Sequence, residues 1–241
     1  MKVLAIGNSF SVDAMRYLHG IARSAGIDIT AVCLYYSGCS LERHFRYMLA
    51  GEKSYELQYN GELTSFFVSM KEALLSREWD VITLQQASGY SAQADSYYPY
   101  INVLYDYVKQ HAPKAKILIH QTWAYEQGSL KLGNAGYSDH KDMFRDIEKA
   151  YAQAAEKVGA DGLIPSGRMF QYLLANGFEK VHRDTFHATR GAGRYALGLL
   201  WFRALTGQGV TDNTFCDFDE PVTPEQMSII KTYVEQVAPV L

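Results

Sequence analysis

The feature that most constrains this chain is a repeated alternation. Short apolar runs at residues 2–6, 29–35, 79–86, 116–122 and 162–165 are separated by stretches with helical spacing. The first run is continuously apolar and ends at Gly7, as a strand covered on both faces should. Residues 13–25 place Met15, Leu18, Ile21 and Ala22 on one helical face and stop at Gly26. Residues 41–49, 97–111 and 140–158 also read as helices. Residues 51–61 are polar and Tyr-rich and read as a loop, and 63–75 as a helix.

Past the fourth run, residues 123–139 form a long connection containing Gly and Ser. A connection of that length in a compact domain goes with function or mobility. After 170–175 and a polar turn, residues 189–206 predict a helix whose Gly191, Ala192, Gly193, Ala196 and Gly198 allow close packing on the sheet. Residues 225–236, entered through Pro224, predict a final helix. Five strand–helix alternations predict a three-layer α/β/α domain with a flavodoxin-like, parallel five-stranded sheet. No linker, repeat or low-complexity tract interrupts residues 1–241, so one domain is expected.

Composition narrows the function classes. Hydrophobic residues at 48% and charged residues at 20% support a sizeable core. A net charge of -3 gives no reason to expect nucleic-acid binding. No apolar stretch reaches the roughly 18–20 residues of a membrane span. Cys33, Cys39 and Cys216 cannot close a disulfide framework, and Cys33 reads as core. The chain enters its first strand without a cleavable leader, which predicts a cytoplasmic protein, or a periplasmic or secreted one if a leader has been removed. The 18 Tyr suit half-buried packing more than a dedicated binding surface.

In a parallel sheet, ligands bind beyond the carboxyl ends of the strands. The loops there hold Ser9, Gly38, Gln86 and Trp123. Ser9 lies in Gly7-Asn8-Ser9-Phe10-Ser11, directly after the first strand. Its residue types suit a helix cap as well as a nucleophile. Far along the chain, Asp184-Thr185-Phe186-His187 spaces a carboxylate three residues before an imidazole at a helix entry. That spacing lets Asp184 hold one ring nitrogen while the other accepts a serine proton. The alternatives are again a cap, or a surface pairing of Asp184 with Arg183 or Arg190.

Together the two segments resemble the SGNH, or GDSL-type, hydrolases. The family's first block reads Gly-Asp-Ser where this chain has Gly7-Asn8-Ser9, and its last block D-x-x-H falls on Asp184 and His187. The resemblance spans nearly the whole chain. It implies Ser9 as nucleophile, His187 as general base, Asp184 as its orienting carboxylate, and no cofactor or metal. It also implies oxyanion donors at Ser9 N–H and at a glycine, for which Gly38 fits. The family's block III Asn is absent: the third strand ends Leu84-Gln85-Gln86-Ala87-Ser88-Gly89. A glutamine amide can donate the same bond, which points to Gln86, with Gln85 as its rival. Trp123 and Tyr125 are candidates for the wall of a substrate site.

The expected activity is serine-dependent ester hydrolysis, with an O-acyl (O-acetyl) carbohydrate or other small ester as substrate. No G-x-S-x-G, G-x-G-x-x-G, H-E-x-x-H or paired C-x-x-C occurs, which disfavours other hydrolase, dinucleotide and metal classes. Two non-catalytic alternatives are a flavin- or phosphate-binding module of flavodoxin-like shape and a degenerate esterase that holds glycans. The first predicts a yellow protein and leaves Asp184 and His187 without a role.

Overall fold

The computed structural model describes residues 1–237 and 240–241. Its centre is a seven-stranded sheet. Strands β1 (Lys2–Gly7), β2 (Thr30–Tyr35), β5 (Val81–Leu84), β6 (Lys116–Gln121) and β7 (Gly162–Pro165) run parallel. Strands β3 (Tyr55–Tyr59) and β4 (Glu62–Val68) form an antiparallel hairpin added to the edge at β2. The order is β4-β3-β2-β1-β5-β6-β7. The chain therefore reverses direction across the sheet at β1, the place where such sheets leave a crevice.

Strand side chains alternate between two cores. Val3 and Ala5 face helices α1 (Ser9–Met15), α2 (Leu18–Ser24), α8 (Ser166–Ala175), α9 (Ala192–Thr206) and α10 (Pro224–Gln236). Leu4 and Ile6 face α3 (Leu41–Ala50), α4 (Met70–Leu75), α5 (Tyr100–His111) and α7 (His140–Val158). Burial on both faces explains the unbroken apolar runs of the parallel strands. Helix α9 is apolar all round because sheet, α1, α2, α8 and α10 enclose it.

The α/β/α layering is as the sequence predicts, but the strand count is not. The segments read as a loop (51–61) and as one helix (63–75) contain the β3–β4 hairpin, and the helix is confined to Met70–Leu75. The hairpin turns at Asn60-Gly61, both at positive φ, the pair most suited to a two-residue turn. The helix expected over 13–25 is two helices broken at Arg16 and Tyr17, and α5 begins only after Pro99. The long connection at 123–139 carries the short helix α6 (Leu130–Asn134). Among the described residues no helix is long and apolar enough to cross a membrane. All three cysteines are free, Cys33 and Cys39 buried.

Candidate active site

Ser9 is the first residue of α1, directly beyond β1. The turn that carries it is held by neutral side chains. Asn8 caps α1 by accepting from Phe10 N–H (3.0 Å) and donates from Nδ2 to the carbonyl of Cys39 (3.1 Å). The second bond ties the loop after β1 to the loop after β2, where Gly38 sits at φ +60. An Asp at position 8 could cap but could not make the Cys39 bond. Asn8 Oδ1 also accepts from Gln85 Nε2 (2.9 Å). Gln85 Oε1 accepts in turn from Ser11 Oγ and from His120 Nδ1 (3.2 Å), and Ser166 Oγ meets His120 Nε2 at 3.1 Å. Gly7 is required beneath this network, because a Cβ there would overlap Ser11. Burial pushes the His120 imidazole down to about 3, so it is neutral and its single proton is assigned to Nδ1 by Gln85.

His187 comes from a tight loop closed by Arg183 N–H donating to the His187 carbonyl (2.9 Å). Thr185 within it adopts φ +76, a strained value for a β-branched residue. Its carbonyl is held by Glu126 N–H (2.8 Å), and the next carbonyl, of Phe186, by Trp123 Nε1–H (2.7 Å). Asp184 Oδ1 accepts from His187 N–H at 2.9 Å. The imidazole lies against Phe186 (ring centroids 3.9 Å apart) and near Phe10 (5.9 Å).

The loop is bolted to α1 by a buried charge. Asp13 is fully buried and accepts from Arg183 Nη1 (2.9 Å), Arg194 Nε (2.9 Å) and Ala188 N–H (3.1 Å). Ser9 and Asp13 are one helical turn apart on the same face. One helix thus grips the loop at two points, through Asp13 and through Ser9 itself.

The outcome is a continuous relay. Ser9 Oγ–H donates to His187 Nε2 at 2.8 Å, and His187 Nδ1–H donates to Asp184 Oδ2 at 2.7 Å. Burial pushes the Asp184 carboxyl up, but hydrogen bonds from the His187 ring and backbone outweigh it and hold the group below the ordinary carboxylate value. Asp184 therefore stays ionised where the imidazole works. The Ser9 and Gly38 N–H groups have no acceptor among the described residues. They sit on the two loops that Asn8 ties together.

Four other sequence candidates are used differently from expectation. Gln86 is buried; its Oε1 accepts from Leu41 and Ala87 N–H, and both Nε2 protons go to Ser96 (3.0 and 3.1 Å). The Gln85 amide donates to Asn8 and to the Gln86 carbonyl (3.4 Å). Neither glutamine keeps a free donor for an oxyanion. Trp123 has no exposed surface and stacks on Phe10 (4.2 Å), so it braces the His187 loop from below and is not a substrate wall. Tyr125 is 3% exposed, with its hydroxyl on Ser88 Oγ (3.1 Å). Arg183 pairs with Asp13 and not with Asp184. Asp13, His120 and Ser166 carry no motif; an acid inside the apolar pattern of α1 is the one signal of the first. Among the described residues no cluster of His, Cys, Asp and Glu is placed to hold a metal ion.

Residues 2–235 match a family described as a domain of unknown function, DUF4886. The chain belongs to that family. A crystal structure of a DUF4886 protein from Bacteroides uniformis is 32% identical, with a TM-score of 0.90 over 98% of this chain and 93% of that one. A protein described as a putative SGNH hydrolase from Slackia heliotrinireducens is 24% identical, with a TM-score of 0.60 over 84% of this chain and 97% of that one. A putative GDSL-like lipase from Parabacteroides merdae is 10% identical, with a TM-score of 0.55 over 84% and 94%. At these identities the last two likenesses concern architecture, and this DUF4886 protein has the SGNH hydrolase fold. No curated protein matches the sequence.

Proposed function

We propose that this protein is a serine-dependent ester hydrolase. The observation that carries the proposal is the relay itself, with Ser9 Oγ 2.8 Å from His187 Nε2 and His187 Nδ1 2.7 Å from Asp184. Ser9 Oγ attacks the ester carbonyl carbon while His187 Nε2 takes its proton. Asp184 holds the ring tautomer and stabilises the imidazolium. The Ser9 and Gly38 N–H groups receive the tetrahedral oxyanion. Collapse breaks the carbonyl–alkoxy bond, and His187 returns the proton to the leaving alcohol. A water then attacks the acyl-serine by the same route in reverse, releasing the acid and restoring Ser9.

The substrate class follows from what surrounds the relay. The segments beside the relay carry Arg190 and the partly exposed Val12 and Arg16 of α1, which supports a hydrophilic alcohol such as an O-acylated, and in the simplest case O-acetylated, carbohydrate. The side chains of Gln86 and Trp123 are occupied elsewhere and take no part in that preference.

Ser9→Ala is the deciding variant. Hydrolysis of p-nitrophenyl acetate should fall by about 10⁴-fold or more, since removal of a nucleophile leaves only the oxyanion and binding contributions. A fluorophosphonate should add to Ser9 in the parent and not in the variant, read by intact mass. Turnover that survives the substitution would overturn the proposal.

A further inference from the structure

The partly exposed positions of α1 and its C-cap form a stripe: Ser9, Val12 and Arg16. Their spacing of three and four residues puts them on one side of α1, with Val12 about 4.5 Å along the axis from Ser9. Val12 and Arg16 floor a cleft of about 440 Å³. One wall is the tip of the β3–β4 hairpin, Gly61 to Leu63, and the other carries Arg190 and Arg194. Arg190 is three residues beyond His187, and its carbonyl is pinned by Tyr17 Oη–H (2.5 Å). Val12 is one turn from Ser9 and Arg190 is three residues beyond His187, so the cleft adjoins both segments that carry the relay.

The charges in and behind this cleft nearly cancel. Asp13, Glu62 and Asp219 are the carboxylates. Arg183 and Arg194 hold Asp13; Arg16 and Arg194 hold Asp219; Arg16 also holds Glu62. Three carboxylates are thus met by three guanidinium groups. Arg190 is the fourth guanidinium, exposed, and without an ion pair or side-chain hydrogen bond among the described residues. A lone guanidinium in a cleft whose floor is one helical turn from the nucleophile is an arrangement for reading a substrate's own charge.

We infer that the cleft binds the alcohol portion of an ester that carries a carboxylate, with Arg190 as the residue that selects it. This rests on the hydrolase reading of Ser9. The alcohol is the part placed here because His187, which protonates it, shares its loop with Arg190. One unpaired guanidinium, with the ionised Asp184 on the same segment, suits a monoanion such as a carboxylate and opposes a phosphate dianion. An acylated sugar acid has the required chemistry.

The test compares 4-acetoxybenzoate with its methyl ester, the same acetyl ester with and without the charge. The parent protein should favour the carboxylate in kcat/KM. In Arg190→Gln that preference should shrink about ten- to a hundredfold, the worth of a charge-assisted hydrogen bond. Arg190→Lys should restore part of it, and Arg190→Glu should reverse it. Separately, 4-hydroxybenzoate binding to Ser9→Ala by calorimetry should weaken at least tenfold when Arg190→Gln is added, and inorganic phosphate should not displace it. A preference and a binding constant both indifferent to Arg190 would overturn the inference, as would phosphate competing equally well. Binding that depends on Arg190 in a protein whose turnover survives Ser9→Ala would sink the hydrolase reading and leave the anion site standing.

Discussion

The two segments that meet at the relay are held in opposite ways. The Ser9 turn rests on an uncharged, buried chain of side chains running from Asn8 through Gln85 to His120 and Ser166. The His187 loop rests on a buried carboxylate shared by two arginines, on a tryptophan beneath it, and on a backbone strained at Thr185. The difference has a physical logic. A permanent charge under the nucleophile would bias the oxyanion that forms there, so that side is neutral. The loop must carry an exposed carboxylate and an imidazole that changes charge, and a compensated ionic anchor one helical turn away holds it. Neutral amides fix direction, while ion pairs fix position at the cost of dependence on every partner.

The sharpest way to break the ionic side is Asp13→Asn. It leaves two partly buried guanidinium groups facing a neutral amide, and removing one partner of such a cluster costs about 3–5 kcal/mol. Urea unfolding should show that loss, with kcat falling alongside as the loop slips. On the neutral side, Gln85→Leu removes one of the two donors to Asn8 Oδ1 and strands the Ser11 hydroxyl and the His120 N–H. The expected cost is about 2 kcal/mol, and kcat for a short ester should fall more than KM rises.

Acid should destabilise the fold through three buried histidines, of which His120 belongs to the neutral side. Burial holds His44 and His120 at about 3 and His182 at about 4, against an ordinary 6.5. The unfolded chain then binds more protons than the folded one below pH 6.5. Stability is full above that value and is lost as pH falls toward 3, by about 1.4 kcal/mol per pH unit for each histidine. Urea midpoints at pH 7.5, 6 and 5 should show it, and His120→Asn should flatten the slope by one proton. The smallest effect is expected from Trp123→Phe, which keeps the stacking on Phe10 but drops the bond to Phe186. About 1 kcal/mol should go in thermal or urea unfolding. An Asp13→Asn protein as stable as its parent would erase the contrast between the two anchors.

The parallel strands are legible in the sequence because both their faces are buried, so apolar residues run on without a break. The β3–β4 hairpin is not, because most apolar residues of β4 point outward. Leu63, Phe66 and Phe67 are 49%, 62% and 53% exposed, and at that spacing they imitate a helix face. Asn60-Gly61 is the local signal that marks the turn. Within the site, the segments holding Ser9 and Asp184–His187 stand out because each keeps its chemistry within a few contiguous residues. The uses of Gln85, Gln86 and Trp123 do not, since residue type at a strand end does not say toward which side of a loop the side chain turns. Asp13 and His120 are harder still: each matters through partners 35 or more residues away.

Ser9 and His187 stand 178 positions apart. A polypeptide emerging from the ribosome exposes this serine well before its base, and must await the loop ahead of α9. On the proposed mechanism, activity is switched on by completion of the fold, and any truncation that frees α9 silences it.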